Sequence, residues 1–145
     1  MPCRPPRIVS CSVARPTGDP LLTSRLLRGL ANVQLGFGDA QKALATLDHA
    51  LALAQERSDR VGMADALLPM GVAHRQLGNF ARAVEANERA QALQLALGDR
   101  NAAAMTLCNI GVVHADLGQS ERALTLFEQA LAEFEALGDR GHAEI

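Results

Sequence analysis

With 145 residues and a formal net charge of −2, the chain carries no global field that would draw it to nucleic acid or to an anionic membrane. No apolar run approaches the ~18–20 residues needed to span a bilayer. Its 48% hydrophobic content goes largely into Ala and Leu, with four Phe and no Trp or Tyr. Such a composition favours helices that approach one another closely.

Residues 1–18 differ from the rest of the chain. They hold four of the six prolines and three arginines but no acidic residue, and they show no helical period. Ile8-Val9-Ser10-Cys11 superficially fits a lipoprotein cleavage box, but Pro5, Pro6 and Arg7 stand where its apolar segment belongs. The stretch reads as a disordered tail or as sequence upstream of the true start. Cys3, Cys11 and Cys108 form an odd set without metal-ligand spacing. They argue for a reducing, cytoplasmic compartment and against a disulfide framework.

From residue 19 the chain repeats itself every forty residues. Gly38, Gly78 and Gly118 form one column, and so do Lys42, Arg82 and Arg122. Ala43, Ala83 and Ala123 form the next, then Leu44, Val84 and Leu124, then Ala50, Ala90 and Ala130. A fixed period of this size means stacked supersecondary units, each too small to bury its apolar face alone. The units run over about 19–58, 59–98 and 99–138, with a truncated fourth over 139–145.

Each unit reads as two helices. The first opens at Asp19-Pro20, an N-cap with Pro at the first helical position. Its helices run to about Leu35 and from about Asp39 to Arg57. The second unit pairs Arg60–Leu77 with Asn79–Leu97, and the third pairs Arg100–Leu117 with Gln119–Leu137. The three column glycines fall just past the first helix of each pair, where a left-handed conformation suits Gly. Gly98 and Gly138 are expected to do the same between units, with Asp99 and Asp139 capping the next helix. Ser58 stands where such a glycine belongs, so that turn should be looser or strained. Pro69 lies inside a helix, which predicts a kink near Asp65–Pro69.

The internal spacing resembles the tetratricopeptide repeat, whose pattern is W-x₂-L-G-x₂-Y, then A-x₃-F. The third unit gives Leu107, Ile110-Gly111, His114, Ala123 and Phe127. The second gives Leu67, Met70-Gly71, His74, Ala83 and Asn87, and the first Leu27, Leu30-Ala31, Gln34, Ala43 and Leu47. The family's Trp, Tyr and terminal Pro are missing, and the period exceeds its usual thirty-four residues. The Leu-Gly-Asp-Arg punctuation is similar to that of long tetratricopeptide repeats in bacterial signalling ATPases and transcriptional regulators, in kinesin light chains and in spindle-orientation scaffolds. The resemblance implies an all-α, right-handed α-solenoid of three helix-turn-helix repeats plus the start of a fourth.

It also implies a protein or peptide partner held on the concave face, which the first helix of each pair lines. Helical spacing selects Arg25, Arg28 and Asn32 from the first unit. The second contributes Asp65, Leu68, Val72, Arg75 and Gln76, and the third Met105, Cys108, Asn109, Val112 and Asp116. Asn109 matches an Asn that, in long repeats of this kind, can bond a bound peptide's backbone. Arg25 and Arg28 read equally as a solvated helix face. Arg28 and Asn32 resemble the opening of the carboxylate clamp of chaperone-binding members, but Pro69, Met105 and Asn109 stand where Asn, Lys and Arg would complete it.

No residue pattern points to catalysis, a metal or a cofactor. His74 and His114 fall in the column of the family's Tyr and read as seam histidines, because zinc needs three or four convergent ligands. Glu133 and Glu135 read as solvated charge, and the glycines form neither a dinucleotide nor a P-loop fingerprint. The expected function is a non-catalytic scaffold, a regulatory part of a larger signalling protein. Two alternatives stand beside it. The third unit's end face, with Leu124, Leu131 and Phe134, would lie partly uncovered and could join copies of the chain. The repeats could also sense a ligand for an ATPase or a transcriptional regulator.

Overall fold

The computed structural model describes residues 19–143, so the reading of residues 1–18 falls outside it. Asp19 starts the fold: its Oδ1 accepts the Leu21 N–H at 2.9 Å ahead of Pro20. Six helices are formed among the described residues: α1 (Pro20–Gly36), α2 (Ala40–Glu56), α3 (Arg60–Gln76), α4 (Phe80–Ala96), α5 (Arg100–Asp116) and α6 (Ser120–Ala143). Each packs on the next, and α1 also reaches α3, whereas α3 and α5 approach each other less closely. The result is a stack of three helical hairpins, an α-solenoid.

Four of the turns end on the glycines the period marks, Gly38, Gly78, Gly98 and Gly118, with φ between 78° and 82°. Each closes two backbone bonds over the last helical carbonyls. At Gly98 its own N–H donates to Leu95 O at 3.0 Å and the Asp99 N–H to Gln94 O at 2.9 Å. Ser58 makes the same turn at φ 53°, its N–H donating to Gln55 O at 3.1 Å and that of Asp59 to Ala54 O at 2.8 Å. Of the two alternatives for this turn, strain is the one observed. A side chain in the left-handed region costs about 1–2 kcal/mol, and the repeating geometry imposes it.

The turn expected at Gly138 does not form. Helix α6 runs through Leu137-Gly138-Asp139-Arg140 to Ala143 and is 24 residues long, where the other five helices have 17. Residues 139–143, expected to begin a fourth unit, extend α6. Continuing α6 instead satisfies the carbonyls that a turn would leave to capping bonds. Helix α3 runs unbroken through Pro69.

Small side chains set the packing. Ala43, Ala83 and Ala123 are buried at the same height in successive hairpins, as are Ala50, Ala90 and Ala130. Leu47, Leu67 and Val113 fill the space between helices. The two end faces of the stack are apolar, and no helix among the described residues covers them. Along α1 and at its C-cap, Leu22, Leu26, Leu30, Val33 and Phe37 are exposed, whereas Ala66, Met70 and Ala73, in α3 columns matching Leu26, Leu30 and Val33, are buried. On α6, Leu124 and Leu131 are each 59% exposed, while Phe134 is half-buried.

Candidate binding groove

All thirteen residues expected on the groove lie on α1, α3 and α5, and none is buried in the core. Their charges are largely spent on one another. Arg28 Nη1 lies 3.4 Å from Asp65 Oδ2, joining α1 to α3. Arg75 Nε donates to Asp116 Oδ2, joining α3 to α5. Pairs this exposed contribute at most about 1 kcal/mol each, but they tie the first helices of successive hairpins at matching heights. Arg25 has no ion-pair partner among the described residues.

The space left between α3 and α5 forms two adjoining clefts. The larger, about 430 Å³, is lined by Asp65 and Leu68 from α3 and by Met105, Thr106 and Asn109 from α5, with Leu97 at one end. The smaller, about 120 Å³, lies between Val72 and Arg75 of α3 and Asn109 and Val112 of α5. Asn109 borders both clefts. Seven expected residues therefore converge: Asp65, Leu68, Val72, Arg75, Met105, Asn109 and Val112. The other six line neither cleft. Arg25 and Arg28 line a further recess of about 130 Å³ between α1 and α3, which Asp65 also borders. Gln76 Nε2 donates to Leu35 O at 3.4 Å, a contact that staples α3 to α1. Asn32, Cys108 and Asp116 border neither cleft.

Asn87 of α4 forms the floor of the smaller cleft, and the groove as read from the sequence did not include it. The residue is 3% exposed. Its Nδ2 donates to Ala83 O at 2.9 Å, while the buried Oδ1 has no partner. The signal for it was present, because Asn interrupts a column otherwise held by Leu47 and Phe127. What the column could not tell is that Gly71 lets the carboxamide pack directly against the backbone of α3, with Nδ2 2.7 Å from where a Cβ would stand.

On the opposite side, α2, α3 and α4 enclose a charged recess of about 430 Å³, with His74 among Asp48, Arg82, Glu85 and Arg89. Burial pushes the His74 imidazole below its ordinary range, and Arg82 pushes the same way, against Asp48 and Glu85. Its Nδ1 is buried without a partner. His114, the matching residue of the next hairpin, donates from Nδ1 to Gln119 Oε1 at 2.6 Å. Asn79 replaces that Gln beside His74 and is one methylene shorter. Glu133, expected as solvated charge, keeps an exposed side chain and accepts from Arg100 Nη2 at 3.0 Å across the third hairpin. No helix among the described residues is long and apolar enough to cross a membrane.

The family profile described as tetratricopeptide repeat matches residues 62–136, and that of anaphase-promoting complex subunit 5 matches residues 21–70. No curated protein matches the chain. Among solved structures, the TPR domain of Arabidopsis FLU superposes with a TM-score of 0.74 at 18% identity, covering 81% of this chain and 99% of that one. At that identity the likeness speaks for the fold alone. The repeat profile spans more than half of the residues, over the same hairpins that carry the column glycines and alanines. The chain belongs to the tetratricopeptide repeat family, whose domains are typically non-catalytic modules that bind proteins or peptides.

Proposed function

We propose that the chain is an interaction scaffold that holds an extended peptide or a partner helix along the face formed by α1, α3 and α5, as a cytoplasmic, regulatory part of a larger signalling protein. One observation carries this reading: seven residues selected for the groove line two adjoining clefts between α3 and α5. Exposed Val72 and Met105 offer apolar contact there, and Asn109 offers an amide to both clefts. Mixed apolar walls with a few placed polar groups are what an extended peptide needs for both affinity and register.

The test is affinity capture from a native lysate by the chain, beside a variant carrying Arg28→Glu, Asn32→Ala and Arg75→Glu and matched for helicity. A partner kept by the parent and lost by the variant supports the groove. Equal capture by both, or none, removes it.

A second reading is favoured by the two apolar end faces, which no helix among the described residues covers. The stripe Leu22, Leu26, Leu30, Val33 and Phe37 of one copy would meet Leu124 and Leu131 of another, as α3 meets α2 inside the chain. Apolar surface of this extent is uncommon on a monomer. Sedimentation of the chain over a hundredfold concentration range would show a rising mass, abolished by Leu26→Glu or Leu131→Glu. A constant monomer mass ends this reading.

A further inference from the structure

We propose that the larger cleft between α3 and α5 is a pocket for a tyrosine side chain of the bound peptide, with the Gln94 carboxamide as the donor at its floor. The inference rests on the groove reading above and adds which side chain the groove selects.

Gln94 of α4 is a polar residue in a core position, 5% exposed. Its Oε1 accepts from the Thr106 hydroxyl of α5 at 2.7 Å, and that bond sets which way the carboxamide faces. Ala102 O also lies 3.0 Å from this hydroxyl, but as a member of the α5 ladder it already takes a backbone N–H. The hydroxyl proton is therefore free to serve Gln94. Nε2 is then left as a donor with no bond among the described residues. It is not one of the enclosed orphan atoms there, which are His74 Nδ1 and Asn87 Oδ1. Its open side is the cleft of about 430 Å³, which Gln94 lines.

The walls decide what meets that donor. Val61, Leu68, Leu97 and Met105 make them largely apolar, and the volume admits a whole aromatic ring. Asp65 and Asp99 also line the cleft and repel an anion. Both carboxylates are already engaged, Asp65 with Arg28 at 3.4 Å and Asp99 Oδ1 with the Ala102 N–H at 3.1 Å. Lys and Trp carry donors but no acceptor, so either would leave Nε2 unmet. Ser, Thr, Asn and Gln carry an acceptor but little apolar body to fill the walls. Tyrosine has both, a ring for the walls and an oxygen at its far end for Nε2.

The matching gap between α1 and α3 lacks this combination. Ala54 holds the Gln94 column there, and Arg25 and Arg28 stand where α3 has Asp65 and Leu68. Its recess measures about 130 Å³.

The experiment is selection of a random twelve-residue display library on the whole chain, followed by binding of the enriched peptides to Gln94→Met and Met105→Arg, all matched for helicity. Gln94→Met removes the donor at nearly constant shape, and Met105→Arg places a bulky cation in the cleft from an exposed position. Peptides from the parent are expected to share one Tyr and to lose binding to Met105→Arg. Replacing that Tyr by Phe should weaken binding to the parent about tenfold and to Gln94→Met less than about twofold. A consensus without Tyr, or equal losses on both proteins, overturns the pocket; if Met105→Arg still blocks binding, the groove stands. Peptides indifferent to Met105→Arg, or no enrichment at all, remove the groove and the pocket with it.

Discussion

The second and third hairpins share a backbone plan but treat their polar groups in opposite ways. In the third, a Phe127 ring closes the space over Gly111, and His114 is satisfied by Gln119. In the second, Asn87 and His74 occupy the same two columns, and each leaves a buried atom without a partner. One scaffold thus carries a sealed seam next to a seam with open valences. The difference lies in two side chains per hairpin, so it can be exchanged between them.

The largest effect is expected from making the third hairpin like the second. Phe127→Asn should cost about 2–3 kcal/mol in urea unfolding, less than a fully buried Phe because the ring is partly exposed. The reverse exchange, Asn87→Leu, removes an orphan acceptor and should stabilise by about 1–2 kcal/mol, seen as a higher urea midpoint at unchanged slope. A loss of stability there would mean that Oδ1 is satisfied in solution.

Asn79→Gln should give His74 the partner that His114 has, worth about 1 kcal/mol. It also bears on pH. The folded chain holds His74 below the ordinary imidazole value of about 6.5, chiefly by burial and then by Arg82. As pH falls through that value the unfolded chain takes up the proton first. The stability contributed by neutral His74 is therefore complete above about 6.5 and is lost from there down to the folded-state pKa. Thermal midpoints between pH 7.5 and 5 should show this slope in the parent and lose it in His74→Leu. The smallest effect belongs to the junctions: Ser58→Gly should relieve the left-handed strain that Gly98 avoids and raise stability by about 0.5–1 kcal/mol.

The hairpins were legible because glycine and alanine columns report local needs, a left-handed turn and a close helix contact, that any copy of the unit must meet. The groove was legible only as a face. Its ion pairs, Arg28 with Asp65 and Arg75 with Asp116, join residues about one period apart on successive first helices. A period read for identity alone overlooks such complementarity. Asn87 was visible as an odd letter but not as a residue that lines the smaller cleft, because the space its carboxamide fills is left by a missing side chain in a different helix. The turn at Gly138 was misread because the identical string at Gly98 does turn.

That pair of strings has a consequence for the chain as a whole. Leu97-Gly98-Asp99-Arg100 ends one helix and caps the next, whereas Leu137-Gly138-Asp139-Arg140 lies wholly within α6. A glycine inside a helix costs only about 1 kcal/mol, so the two shapes of this word are nearly degenerate, and the helix packed downstream of it selects between them. The overhang that results makes α6 about 10 Å longer than its neighbours. An amphipathic helix packed beyond Gly138 would draw this word into its turned shape and add a storey to the stack.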